Sequence, residues 1–189
     1  MFSELVLKNR SYRRFDQKKP IPRETLVDLV KLARISPSPS NLQGLKFWLV
    51  SEEAECEAIF QNLKFGGYLK TWGGPPEGEK PTGYIIVLGD TEIKPTFEID
   101  AGIAAQTMLL GAVDKDYGGC MLKSFKREGL QQLKALPHNL EIVLVIALGK
   151  PVETCVIDEF DPEKGIEYFR DQDGVHHVPK RSLDELIVK

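Results

Sequence analysis

The chain has 189 residues, 42% of them hydrophobic and 28% charged, with a formal net charge of -3. That balance is ordinary for a globular chain able to bury a real core, and it argues against disorder along the whole length. Nothing in it points to nucleic acid or an anionic membrane, and no apolar run approaches the ~20 residues needed to span a bilayer.

In chain order, Phe2, Leu5 and Val6 recur at helical spacing until a polar cluster at Asn9–Arg14. Pro20 and Pro22 stiffen the entry to a helix with Glu24 in its first turn and an apolar stripe of Leu26, Leu29, Val30 and Ala33. It ends near Ser36, because Pro37 and Pro39 restrict the residues before them. Residues 36–46 read as a loop, Phe47–Val50 as a short buried strand, and Glu52–Gln61 as a helix. Residues 66–83, rich in Gly and Pro, read as a long loop of the kind that serves as a lid or binding segment.

Tyr84–Leu88 is a buried strand. Glu98–Val113 is a helix with so few polar positions that burial on more than one side is expected, the second side at a subunit interface. Tyr117–Cys120 reads as a turn into a short extended piece, and Arg127–Leu136 as a helix ending before Pro137. Glu141–Leu148 is the strongest strand. Residues 152–189 are polar and acidic with little to form a core, so they are expected to wrap over another surface. Strands mixed with helices, without a regular βαβ rhythm, predict an α+β fold: a central, mainly antiparallel sheet flanked by helices in a single domain over 1–189.

Most protein-borne chemistries are missing from the sequence. There is no GxGxxG, no GxxxxGK[ST], no HExxH and no GxSxG. His176 and His177 are adjacent, so on a strand they face opposite ways and make a poor metal pair; His138 reads as a solvated loop residue. Cys56, Cys120 and Cys155 are odd in number and make no CxxC pair, which argues against a disulfide framework and fits a cytoplasmic setting. Met1–Val6 lacks the pattern of a signal peptide. Cys120 reads as a small buried residue. Chemistry is then expected to reside in a cofactor.

Charge is distributed unevenly: residues 1–50 hold ten Lys/Arg against four Asp/Glu, and residues 151–175 hold eight acids against two bases. The basic end either meets an anionic ligand or is one side of an asymmetric surface. Within it, Arg10-Ser11-Tyr12-Arg13-Arg14-Phe15 places three guanidiniums in five residues. They repel one another and favour a counter-anion such as phosphate, unless the segment is simply a solvated basic loop. Pro37-Ser38-Pro39-Ser40-Asn41-Leu42-Gln43 offers hydroxyls and carboxamides on a stiff loop, suited to a flat heteroaromatic edge or to a plain connection.

In this order the segments resemble the nitroreductase family of FMN enzymes over nearly the whole chain. Arg10, Ser11, Arg13 and Phe15 match its Arg-Ser-x-Arg-x-Phe opening, and Pro37, Ser38, Asn41 and Gln43 match its Pro-Ser-x-x-Asn-x-Gln loop. The buried helix from Asp100, the Tyr117-Gly-Gly-Cys120 turn, the strand ending Leu148-Gly-Lys-Pro151 and the basic pair Lys180-Arg181 complete the match. The resemblance implies an interlocked homodimer with FMN at the interface. Arg10, Ser11, Arg13, Lys180 and Arg181 would hold the phosphate and flank the flavin, and the Pro37–Gln43 loop would reach the flavin of the other subunit. Backbone amides from Met121 to Lys123 would approach its reactive nitrogen. The implied activity is NAD(P)H-driven, ping-pong reduction of a small nitroaromatic or quinone-like substrate. A flavin- or anion-binding sensor or carrier without turnover is the alternative. Asn9, in place of a second basic residue, and Gly44-Leu45, in place of Pro-Trp, depart from many relatives and leave the native acceptor open.

Overall fold

The computed structural model describes residues 1–188. Its centre is a four-stranded antiparallel sheet in the order β1-β2-β4-β3, built from β1 (Leu45–Val50), β2 (Gly83–Asp90), β3 (Gly118–Leu122) and β4 (Leu140–Gly149). Strand β2 is buried along its whole length, and β4 is buried from Ile142 onward. Both are near-continuous apolar runs, the pattern expected of strands covered on both faces.

Helices supply the two covers. On one face, Ile85, Val87, Ile146 and Leu148 meet α2 (Arg23–Arg34) and α4 (Glu98–Asp114). On the other, Val50, Tyr84, Ile86 and Val145 meet Cys56 and Ile59 of α3 (Glu53–Phe60) and Leu130 of α5 (Arg127–Leu133). Each fully buried Leu or Ile contributes on the order of 1.5–3 kcal/mol. The helix α5 stops at Leu133, earlier than Leu136, because Lys134 is already extended (φ -144°, ψ 124°) on the approach to Pro137. Strand β1 begins at Leu45, two residues before the expected Phe47, where half-buried Leu45 pairs with Gly89.

The buried face of α4 is the stripe Ala101, Ala104, Ala105, Met108, Leu109 and Ala112, at the spacing of one helical face. Its opposite side stays open within one chain: Ile99 is 68% exposed. Beside it α1 (Phe2–Lys8) has no buried residue, and Phe2 and Leu7 are exposed.

The polar C-terminal stretch is more ordered than its composition predicts. It forms a second sheet in the order β5-β7-β6, from β5 (Cys155–Glu159), β6 (Phe169–Arg170) and β7 (His176–Lys180), followed by α6 (Leu183–Leu186). Its β5–β7 pair is parallel and its β6–β7 pair antiparallel. The loop before Gly83 leans on this sheet: Tyr68 packs edge-on against Tyr168, and the Arg170 guanidinium sits 4.1 Å from the Trp72 ring centre. Among the described residues no helix is long and apolar enough to cross a membrane.

Candidate functional site

The arginine segment is held against the outer edge of the main sheet. Ser11 forms a parallel bridge with Gly119 of β3, and the Tyr12 N–H donates to the Gly119 carbonyl at 3.1 Å. A Cβ on Gly119 would collide with the Ala147 carbonyl oxygen, so β3 comes this close to β4 only with glycine there. Phe15 is fully buried and packs on Gly149, which anchors the segment downstream. The fully buried carboxylate of Glu153 accepts from the backbone N–H groups of Arg13 and Arg14 and from Arg170 at 2.7 Å.

These restraints separate the three arginines. Arg14 turns to Glu79 and makes a two-pronged contact at 2.5 and 2.8 Å. Arg10 and Arg13 instead line a pocket of about 250 Å³ together with Ser11, Tyr168, His176 and Lys180. Arg13 donates to the Ser11 carbonyl at 2.9 Å and lies over the Tyr168 ring at 4.7 Å. Arg10 donates to the Val6 carbonyl at 2.8 Å, while its buried Nε has no partner. Among the described residues no carboxylate forms an ion pair with Arg10, Arg13 or Lys180.

Strand periodicity explains the far wall. His176, Val178 and Lys180 are alternate residues of β7, share one face, and all line the pocket. The sequence weighs His176 and His177 only as a metal pair, although the two-residue spacing through Val178 to Lys180 was an available signal. His176 is 1% exposed, and burial, then Arg13 and Arg170, push its imidazole down to about 4. Tyr168 had no signal, because only folding of the second sheet brings it here. Arg181 lies outside the pocket lining, with its guanidinium on Glu185 at 3.2 Å and over the Phe160 ring.

The Pro37–Gln43 segment lines a separate recess of about 160 Å³ through Pro37, Ser38 and Gln43. Asn41 is exposed and is not part of that lining. A short 3-10 turn, Pro39–Asn41, is embedded here, and Ser40, Asn41 and Gln43 all have left-handed backbone, φ 53°, 54° and 53°. Three such residues without glycine cost on the order of 1 kcal/mol or more each, and strain of this kind concentrates at ligand-contacting loops.

The loop is tied down by Asp100 in the first turn of α4. The Ser38 hydroxyl donates to Asp100 at 2.6 Å, Lys94 pairs with its other oxygen at 2.5 Å, and the Gln43 N–H donates to Ser38 Oγ at 3.0 Å. Burial raises the Asp100 carboxyl, but the bonds from Lys94 and Ser38 outweigh it and hold the group below the usual carboxylate range. A Cβ on Gly44 would stand 2.9 Å from Lys94 Cγ, so the glycine at this position leaves room for the lysine stem. Sequence reading noted Asp100 only as the start of a buried helix and did not pick out Lys94.

Met121 is partly exposed and Lys123 exposed, on the opposite face of the β3 edge from buried Cys120 and Leu122. Burial pushes the Cys120 thiol up to about 12, so it is neutral at ordinary pH. A larger concavity, about 750 Å³, lies elsewhere beside α3; its Lys80 already pairs with Glu57 and Glu77. The arginine pocket therefore has the stronger claim, because among the described residues its cations have no ion-paired carboxylate.

Known proteins resemble this chain in sequence and in fold. Bacillus subtilis YodC, provisionally named an NAD(P)H nitroreductase, is 26% identical over 179 residues, covering 78% of this chain and 89% of YodC. A nitroreductase family protein of Clostridium difficile 630 superposes with a TM-score of 0.70 at 19% identity, covering 100% of this chain and 97% of that one. An FMN-dependent nitroreductase of Clostridium difficile R20291 superposes with a TM-score of 0.63 at 18% identity, covering 85% and 92%. The family model described as Nitroreductase family matches residues 6–72 and 79–150. That match spans well over half of the sequence, and the chain belongs to the nitroreductase family.

Proposed function

We propose that the chain is an FMN-dependent NAD(P)H oxidoreductase that acts on a small acceptor, nitroaromatic or quinone-like, as a homodimer of single-domain subunits. The observation that carries this reading is the convergence of Arg10, Ser11, Arg13 and Lys180 on one pocket, with the Arg10 Nε buried and unpartnered. A flavin phosphate brings ~2 negative charges and several acceptor oxygens, the complement of that donor set. Bound FMN would supply the redox chemistry between NAD(P)H and the acceptor.

The protein's own part is placement. Phe15 and Glu153 fix the arginine segment, so Arg10 and Arg13 meet the phosphate with little freedom left to lose. Asp100 holds Ser38, and through it Gln43, in a strained loop that presents amide and hydroxyl groups to a flavin edge. Strand β3, bridged through Gly119 to Ser11 of the pocket, carries Met121, and Lys123 follows its last residue. The open side of α4, with Ile99, beside exposed Phe2 and Leu7 of α1, supports a second copy of the chain as its cover.

The test is the visible spectrum of the purified protein, recorded anaerobically while NADH and then NADPH is added. A flavin spectrum that bleaches is the expected result. One that persists with both donors favours a binding protein without turnover. A colourless protein that takes up no FMN on soaking rules the reading out.

A further inference from the structure

We propose that His176 is a phosphate-responsive residue of this pocket: entry of a phosphate monoester beside Arg13 converts its neutral imidazole to imidazolium, so that binding takes up one proton from solvent. The proposal rests on the reading of the pocket as the site of the FMN phosphate.

Geometry fixes the starting state. Arg13 Nη1 stands 3.2 Å from His176 Nε2. A guanidinium can only donate, so Nε2 accepts and the single ring proton is on Nδ1. Nδ1 is buried and has no partner among the described residues, and the Tyr168 ring packs against the imidazole at 5.1 Å between centres.

The groups around the ring explain why it is neutral. Burial, then the positive charges of Arg13 and Arg170, disfavour the imidazolium, with His177 adding to the effect. Arg10 and Lys180 line the same pocket. On β5, Cys155 stands opposite His176 in register, and burial pushes its thiol up to about 12, so it contributes no charge. Glu153 contacts both Arg13 and Arg170, and its oxygens are already occupied by the Arg13 and Arg14 N–H groups and by Arg170.

A dianionic phosphate reverses the field at the ring. Arg13 gains an acceptor stronger than imidazole and turns Nη1 toward it, which releases Nε2. The freed nitrogen takes a proton from solvent and becomes a donor facing the same anion. His177 is an internal contrast: its ring nitrogens already meet Asp158 at 2.9 Å and Asp171 at 3.2 Å, and these contacts raise its imidazole above its ordinary value.

The chain has three histidines, so imidazole nitrogen shifts of the 15N-labelled protein can be followed individually. They are recorded at about pH 6.5 to 8, above the second phosphate pKa of ~6, without flavin, with FMN, and with riboflavin, which has the same ring but no phosphate. His176 is expected to be neutral alone and with riboflavin, and charged with FMN. Calorimetry in buffers of different ionisation enthalpy should then count up to about one proton taken up per FMN, with FMN binding tightening by up to about tenfold per pH unit lowered. His176→Asn should bind FMN without that uptake. FMN bound with His176 still neutral, or a proton count that His176→Asn leaves unchanged, overturns the proposal while the FMN reading stands. Absence of FMN binding by the wild-type protein overturns both. The wild-type shifts decide the matter even if the variant does not fold.

Discussion

At the Ser38–Gln43 loop, Lys94, Asp100 and Ser38 satisfy one another within hydrogen-bond distance and leave no net demand for a ligand. At the Arg10–Arg13 pocket, cations and hydroxyl meet with no carboxylate in the lining, and a guanidinium nitrogen and an imidazole nitrogen are buried without partners among the described residues. Both regions are polar and both carry the sequence resemblance, but they differ in how far their polar groups are satisfied. The first is an internal brace that fixes the shape of a strained loop; the second, on the proposed reading, is a charge pattern that a bound phosphate completes. A motif match alone does not separate these roles. The balance of donors and acceptors does.

The largest expected effect comes from emptying the open region. Replacing Arg10 and Arg13 together by Ala should weaken FMN binding by about 3–6 kcal/mol, taking ~1.5–3 per charged hydrogen bond, while the melting temperature changes little. Flavin retained on gel filtration measures it, and unchanged flavin content would erase the distinction between the regions.

Breaking the closed region should instead act on stability. Asp100→Asn leaves the Lys94 ammonium, with only 9% of its side chain exposed, without its counter-charge, at a cost of about 3–5 kcal/mol in urea denaturation. It should also loosen the backbone at Ser40–Gln43.

A smaller effect follows from titration. His176 falls from an unfolded value of 6.5 to about 4 in the fold, so between those values the unfolded chain binds more protons. Stability should therefore fall as pH drops from about 6.5 to about 4, by at most about 3 kcal/mol, and His176→Asn should flatten that limb. His177 works in the opposite sense: its raised value contributes stability below about 6.5 that is lost as pH rises through its folded value.

The smallest effect is expected at Arg14, which Glu79 already satisfies. Arg14→Met should leave FMN affinity unchanged and cost no more than about 1 kcal/mol of stability. A loss of flavin equal to that at Arg13 would mean that the three arginines act as one cluster.

What the sequence made legible follows the same divide. Elements whose identity lies in long apolar runs, such as Tyr84–Leu88, Glu141–Leu148 and the helix through Ala101–Ala112, were readable because burial on both faces needs just such runs. The second sheet was not, because β5 and β7 are only five residues each, with β5 never fully buried, and they pair although β6 lies between them in sequence. Charge pattern alone groups Arg10 and Arg13 with Arg14, and in the structure it is Glu79 that draws Arg14 away from them. Arg181 was grouped with Lys180 although successive residues leave a strand in opposite directions. His176 was readable in principle from its alternation with Lys180, but which side of β7 faced the pocket was decided by pairing with Cys155.

The most direct test of the account is a comparison of FMN and riboflavin binding to the apoprotein, by quenching of flavin fluorescence. The two ligands share the ring and differ in the phosphate. FMN is expected to bind at least about a hundredfold more tightly, from two or more charge-assisted bonds to the phosphate, with Arg10→Ala and Arg13→Ala removing most of that preference. Equal affinity for the two flavins would contradict the assignment of this pocket to the phosphate.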